Sequence, residues 1–318
     1  MILELSLSNM FSLRDEITLN LQAAKIMTPK GRALEGNFFT VGGEKILKSV
    51  AIFGANASGK SNVMKAIRAC VEMIRSSHNY NENTTFGFVP FKFEGYDQKP
   101  SSFYVRFLMD GIEYEYSFTM TQQQILTEQL YYYPNGRRSL VFSRDERKGM
   151  DKSDIYEFKP IMKRPMDVAV NTSCKTLFIS RASQMDRELA KQVFRFFCDD
   201  IVLDYHLPSI VSFDAMLENE KSDLLDILRT ADSDIVDIRI QGGSIKTFHR
   251  NNPEVAFDFE TEESDGTKTL FGMMISMMDI IRNGRLLLVD EIDTSLHTQL
   301  VEFIIGMFNS SDHAQLVY

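Results

Sequence analysis

The spacing of apolar residues changes along the chain and separates strands from helices. Residues 2–9 alternate between apolar and polar, which is typical of a half-buried strand, and 46–53 is rich in branched apolar residues. From Gly59 onward the apolar residues follow helical spacing instead, at Val63, Ile67, Cys70, Val71 and Ile74. Because Gly54 follows the second strand, this part of the chain is predicted to form a strand, a glycine-containing loop and a helix.

A meander of antiparallel strands is predicted between residues 86 and 143. Two alternating segments flank Asp110-Gly111, and two later segments flank Asn135-Gly136. Both dipeptides favour the tight turns that join neighbouring strands of a hairpin. The stretch 144–164 is charged and irregular, and it predicts a surface loop after the meander.

The last part of the chain predicts a methionine-rich helix over 264–281, a buried strand over 286–289 and a helix over 296–308. Strands that alternate with helices in this way indicate the α/β class. We expect three parts, which are an N-terminal part at 1–144, an insertion or lid at 145–250 and a C-terminal part at 251–318. The final residues begin a further strand, which indicates a truncated chain.

The charge balance and the cysteines narrow the function classes. The 318 residues include 35 Lys and Arg against 44 Asp and Glu, for a net charge of −9. This excludes a uniformly basic nucleic-acid-binding coat and leaves a local basic groove open. Cys70, Cys174 and Cys198 are widely spaced and form no CxxC pattern, as is typical of reduced thiols. No apolar run reaches the ~18 residues of a membrane span, so we expect a cytoplasmic protein without a membrane segment.

The loop between the second strand and the first helix fits the pattern GxxxxGK[ST]. Its two glycines allow the backbone to curl so that successive N–H groups face a phosphate, and the helix end adds a positive dipole. Lys60 is predicted to reach the β- and γ-phosphates of ATP, and Ser61 to bind Mg²⁺ through its hydroxyl. The predicted nucleotide-binding residues are Gly54, Ala55, Asn56, Ala57, Ser58, Gly59, Lys60, Ser61 and Asn62.

Two acids follow the buried strand at 286–289. A strand of this kind brings Asp290 and Glu291 to its carboxyl edge, where ligands of open α/β sheets bind. Asp290 is predicted to hold Mg²⁺, and Glu291 to activate the attacking water as general base, with Lys60 as the second catalytic residue. Without a phosphate loop upstream, a solvated acidic turn would be the simpler interpretation.

A third motif, 262–268, precedes the methionine-rich helix. Ser264 and Gly266 lie where a helix N-terminus can meet an anion. Taken alone, the pattern is also that of an ordinary helix cap formed by Ser264.

Together the three motifs resemble those of ABC-type ATPases of the SMC/RecF/OLD-like group, in which a signature, a helix and an acidic strand follow one another. The usual signature is LSGGQ, whereas this chain has ESDGTK, with Glu263 in place of Leu. That variant resembles the RloA/AbiL-like AAA-family ATPases of bacterial phage-defence loci. The turn at 9–12 also resembles the NF-S turn of the group, and 178–181 resembles a segment of the defence ATPases.

The resemblance implies an ABC-type P-loop ATPase head in which two copies sandwich two ATP molecules with Mg²⁺. Each site would combine the phosphate loop and acids of one chain with Ser264 and Gly266 of the other. Hydrolysis would drive a conformational change in a DNA-maintenance or phage-defence complex. The implied partners are a second copy and an effector protein from the same locus, and nucleic acid is left open. Two alternatives are a regulatory nucleotide-binding module with little hydrolysis and the ATPase part of an OLD-like nuclease.

Overall fold

The computed structural model describes residues 1–24, 35–203, 234–290, 292, 298–310 and 314–317, together with eight positions between 217 and 229. The chain divides into two compact units, Met1–Leu203 with Gly284–Tyr318 and Asp204–Asn283. The segment proposed as an insertion is shared between them, because its residues 145–203 belong to the first unit and its remainder to the second.

The first unit contains a seven-stranded sheet in which every neighbouring pair is antiparallel. Its strands are β1 (Ile2–Ser8), β2 (Ile17–Asn20), β6 (Ser101–Met109), β7 (Ile112–Met120), β8 (Ile125–Tyr132), β9 (Ser139–Asp145) and β10 (Tyr156–Phe158). They lie in the order β10-β9-β8-β7-β6-β1-β2. The predicted meander is confirmed, and β10 arises within the stretch predicted to be a loop.

The alternation of residues explains how this sheet packs. On β6, Phe103, Val105 and Phe107 are buried, whereas the residues between them are only half buried. The opposite face carries polar side chains that pair across strands, such as the Ser8 and Ser102 hydroxyls at 2.6 Å. At the β6–β7 turn Asp110 and Gly111 have φ of 51° and 74°, the left-handed conformation that a two-residue hairpin turn requires.

A second sheet of the first unit has four parallel strands in the order β11-β15-β16-β5. They are β5 (Ser49–Val50), β11 (Ile201–Val202), β15 (Leu286–Leu288) and β16 (Gln315–Val317). The single strand predicted over 46–53 is two strands, because β4 (Glu44–Leu47) pairs with β3 (Phe38–Val41) in a separate hairpin. Gln315 joins the two larger sheets, since its amide accepts from Ile2 N at 2.8 Å and donates to Ile2 O at 3.0 Å.

In the described part of the chain, the α-helices with complete bounds are α1 (Lys60–Ser76), α2 (Lys152–Ile155), α3 (Pro165–Val170), α4 (Phe178–Gln184), α5 (Glu188–Arg195), α6 (Asp265–Arg282) and α7 (Thr298–Ser310). The five apolar residues that predicted α1 are all buried in the core of the first unit. Among the described residues, none of the helices combines the length and apolar character needed to cross a membrane.

A buried ion pair explains why the segment after the meander belongs to the first unit. Glu128 on β8 and Arg144 on β9 are fully buried, with 3.5 Å between Oε2 and Nη1. Glu128 accepts hydrogen bonds from Phe178 N and Ile179 N at the start of α4, and Arg144 donates to Thr176 O and Ser173 O. Burial raises the pKa of Glu128, while Arg144 and these N–H groups oppose the shift. The pair therefore fastens the segment leading into α4 to the sheet.

The second unit contains a three-stranded antiparallel sheet and α6. The strands are β12 (Ile235–Gln241), β13 (Ser244–His249) and β14 (Asn252–Asp258). Its core includes Ile235 and Ile238 from β12, and Phe271 and Ile275 from α6. The methionine-rich helix predicted over 264–281 is thus confirmed, beginning one residue later.

Candidate nucleotide-binding site

The predicted phosphate loop connects β5 to α1, and residues 53–58 are exposed. A Cβ at Gly54 would meet the Ser58 hydroxyl, so the exposed Ser58 side chain would have to turn away to admit it. Gly59, which precedes α1, has φ of 100°, a left-handed conformation that L side chains rarely adopt. The backbone of the loop therefore requires glycine at position 59, and Gly54 leaves space for the Ser58 side chain.

Lys60 folds back over this loop. Its Nζ donates to Gly54 O at 2.7 Å and to Ala55 O at 3.2 Å. An ammonium group has three N–H donors, so this position leaves a further one for an anion held by the loop. The Lys60 side chain thus lies against the loop that is predicted to hold the phosphates.

Ser61 and Asp290 meet although they come from distant parts of the chain. The Ser61 hydroxyl, in the first turn of α1, donates to Asp290 Oδ1 at 3.2 Å. Asp290 is exposed and lies two residues after the end of β15. In the parallel sheet, β16 lies between β15 and β5. A hydroxyl and a carboxylate are the hard oxygen ligands that Mg²⁺ prefers. The described residues contain no cluster of three or more His, Cys, Asp or Glu that could bind a metal. The pair therefore fits an ion whose other ligands are phosphate oxygens and water.

The predicted general base, Glu291, lies outside the described residues, as do 293–297. Asp290 is the last described residue before that gap.

Ser264 and Gly266 belong to the second unit and are both exposed. Ser264 is the N-cap of α6, where its Oγ accepts from Thr267 N at 3.1 Å. The first intrahelical bond is made by Lys268 N to Ser264 O at 3.0 Å. The N–H groups of Asp265 and Gly266 therefore have no partner within the helix. The cap geometry is that of an ordinary helix start, and it leaves two donors at the helix end.

The sequence matches, over residues 49–318, the family described as "AAA domain, putative AbiEii toxin, Type IV TA system". The chain belongs to this family. A comparison with curated proteins finds no match.

Two solved structures resemble this AAA domain. The SMC head domain from Thermotoga maritima has 14% sequence identity and a TM-score of 0.40, covering 99% of this chain and 87% of that chain. The recombination mediator protein RecF bound to ATP, from the RecFOR pathway, has 14% identity and a TM-score of 0.36 and covers 99% of this chain and 90% of that chain.

Ser12 lies beside the predicted phosphate loop of the AAA domain, and the sequence alone predicts no role for it. Ser12 Oγ accepts from the Asn62 side chain at 2.7 Å, and a Cβ on Gly59 would meet the same oxygen at 3.0 Å. The turn carrying Ser12 is fixed by buried Asn9, whose side chain donates to Tyr96 O at 2.8 Å and Lys99 O at 2.9 Å. In the sequence the turn at 9–12 is marked only by its resemblance to the NF-S turn, and no signal links Ser12 to Asn62.

Proposed function

We propose that this AAA domain binds ATP with Mg²⁺ and hydrolyses it to ADP and phosphate. The observation that carries the proposal is the contact between Ser61 and Asp290 beside the phosphate loop. A serine that follows the loop lysine and an acid at the end of a buried parallel strand are the two protein groups that P-loop enzymes use around magnesium. Their meeting in the fold supports the assignment beyond the sequence pattern.

The phosphates would lie in the loop 54–62, where backbone N–H groups and Lys60 bind the negative charge. Lys60 would move from the Gly54 and Ala55 carbonyls to the β- and γ-phosphate oxygens. Ser61 and Asp290 would hold Mg²⁺, which when bound supplies positive charge to the phosphate oxygens. Asn62 would be kept beside the loop by its hydrogen bond to Ser12.

Glu291 is proposed as the general base. It follows Asp290 directly, so its carboxylate would reach the water on the far side of the γ-phosphate and take its proton. Lys60 would stabilise the charge on the transferred phosphoryl group. These two are the residues we propose as catalytic.

We further propose that the active form is a homodimer with ATP between the two copies. Ser264 and Gly266 of one copy would then contact the γ-phosphate held by the other. The two N–H groups left without intrahelical partners at the start of α6, together with the helix dipole, support an anion contact there. Ser264 would thus cap its own helix and also contact the nucleotide bound by the other copy.

The family description names a putative toxin of a type IV toxin–antitoxin system. On that basis we propose that the ATPase drives a conformational change in a phage-defence or DNA-maintenance complex in the cytoplasm. The proposed partner is an effector protein encoded in the same locus, resembling the arrangement of RloA/AbiL-like systems. Nucleic acid is a further candidate ligand of that complex.

ATP titration and turnover of Lys60→Ala test the core of this proposal. Lys65→Ala is a matched control, because Lys65 is an exposed lysine on the same helix. We expect Lys60→Ala to lose ATP binding and turnover while Lys65→Ala keeps both. Unchanged ATP affinity in Lys60→Ala would remove the phosphate-loop assignment.

A further inference from the structure

A buried carboxylate lies directly before Ser264 in the second unit. The Glu263 side chain is 5% exposed. Its Oε1 accepts from the Thr247 hydroxyl and from His249 Nε2, the latter at 2.9 Å. Both donors belong to β13, so the residue that precedes the cap of α6 is fastened to the middle strand of the sheet.

Burying the Glu263 carboxylate costs free energy unless both hydrogen-bond donors are present. An ionised carboxylate removed from water loses its hydration and needs hydrogen bonds to compensate. An apolar side chain, such as the Leu found in the LSGGQ form of the signature, would be held there by packing alone. Hydrogen bonds also fix the direction of the side chain, and with it the backbone that leads into Ser264.

The rest of the turn before Ser264 is fixed by a second set of contacts. Asp258 Oδ1 accepts from Glu260 N and Thr261 N, each at 3.1 Å, and its Oδ2 pairs with Lys246 at 2.8 Å. The hydrogen bond from Lys246 holds the pKa of Asp258 well below its usual range. Asp258 therefore fastens the start of the turn and Glu263 fastens its end, both to β13.

We propose that Glu263 is a positioning residue that sets the orientation of Ser264 and the free N–H groups of Asp265 and Gly266. Thr247 and His249 act through it, by holding its carboxylate. The inference rests on the proposed function, in which those groups meet the γ-phosphate of a second copy. Its distinctive consequence is that loss of His249 impairs the partner's ATP site and spares the site in its own chain.

The test compares full-length variants for ATP affinity of the monomer, ATP-driven dimerisation and turnover. We expect His249→Ala to keep monomer affinity and lower turnover roughly tenfold, as loss of a hydrogen bond to a buried charge implies. His249→Gln restores a donor at the position of Nε2 and should recover most of the turnover. Glu260→Gln, an exposed acid of the same turn, is the matched control and should behave as the parent.

Mixing His249→Ala with Lys60→Ala separates positioning from a general structural role. In the mixed dimer, one site contains both substitutions. The other site combines the unaltered phosphate loop of the His249→Ala chain with the unaltered turn before Ser264 of the Lys60→Ala chain. Activity should therefore return on mixing. If turnover stays low although heterodimers form, His249 acts within its own chain and the inference is wrong.

Two further variants keep the inference open to refutation. Thr247→Val removes the other donor and Thr247→Ser retains it, so we expect the first to lower turnover and the second to preserve it. If thermal melting shows that His249→Ala does not fold, the two Thr247 variants test the inference in its place. Parental turnover in Thr247→Val would then refute it.

Ser264→Arg is measured in parallel. Normal turnover in Ser264→Arg would refute the shared site itself, whereas a defect there with parental behaviour of His249→Ala would refute only the role of Glu263.

Discussion

The hydroxyl of Ser61 donates to Asp290 Oδ1 at 3.2 Å across 229 positions of the sequence. Ser61 is fixed by the first turn of α1, and Asp290 by its place two residues after β15. The contact therefore depends on the parallel pairing of β15, β16 and β5, which brings the ends of distant strands to one edge.

Replacing Asp290 by Asn should weaken ATP binding only when magnesium is present. The amide removes one negative charge from the proposed ion site and leaves the loop that holds the phosphates unchanged. Calorimetric titration with and without Mg²⁺ measures this, and we expect a loss of roughly tenfold or more with the ion. Glu82→Gln is the control for the acid-to-amide change, because Glu82 is an exposed acid far from Asp290 in the sequence. An equal loss in the absence of Mg²⁺ would contradict the assignment.

Gly54→Ala should weaken nucleotide binding without unfolding the protein. The added methyl would meet the Ser58 hydroxyl, so the Ser58 side chain must turn within the exposed loop while the core stays intact. Gly87→Ala is a matched control, because a Cβ there meets no atom within 4 Å and its backbone is not left-handed. ATP titration together with circular dichroism separates the two effects. Parental ATP affinity in Gly54→Ala would show that the loop tolerates the change.

The hydrogen bond between Ser12 and Asn62 should contribute to ATP affinity through the shape of the loop. We expect Ser12→Ala and Asn62→Ala each to weaken binding severalfold, in line with about 0.5–1.5 kcal/mol for one hydrogen bond. A double-mutant cycle on nucleotide affinity measures the coupling. Because both changes remove the same contact, the double variant should lose less than the two losses added together. Strict additivity would mean that the pair does not act as a unit.

Arg144→Met should destabilise the first unit strongly. It leaves the buried Glu128 carboxylate without its cation, a loss that typically costs about 3–5 kcal/mol. Denaturant unfolding measures the change in free energy. Arg147→Ala removes an exposed partner of Asp145 and should change stability little. Equal stability of the two variants would show that the buried pair is not required.

The terminal amine of Met1 should make stability depend on pH between about 6 and 8. It donates to Leu108 O at 3.0 Å, and burial lowers its pKa to about 6, with nearby Asp200 opposing the shift. The unfolded amine titrates near 8, so the unfolded state binds the extra proton in this window. The free energy of unfolding should therefore rise with pH from 6 to 8, by up to about 2–3 kcal/mol.

N-terminal acetylation provides the control for this pH dependence, because it removes the titrating group. The rise between pH 6 and 8 should then disappear when denaturant unfolding is followed across the range. Burial raises the pKa of the nearby Asp200 carboxyl. Its titration makes the free energy of unfolding fall as pH rises, and it does so at acidic pH, below the window of the amine. A slope that persists after acetylation would assign the effect to another group.

Local features of this protein could be predicted from the sequence. The helical spacing of Val63, Ile67 and Ile74 predicted α1, and the Asp110-Gly111 dipeptide predicted the β6–β7 hairpin. The glycine at position 59 is likewise a local signal, because glycine readily adopts the left-handed backbone found there before α1. Periodicity and turn chemistry act over a few residues, so a short stretch contains all the information needed.

Tertiary structure decided what local patterns do not specify. The strand predicted over 46–53 was split because Glu44–Leu47 pairs with its neighbour and Ser49–Val50 with a strand from the end of the chain. Likewise, only the fold brings Asn62 to Ser12 and gives Glu263 its donor His249. Such pairings depend on the free energy gained when segments far apart in the sequence are buried together and hydrogen-bonded. The local sequence around one partner does not indicate which distant residue it will contact.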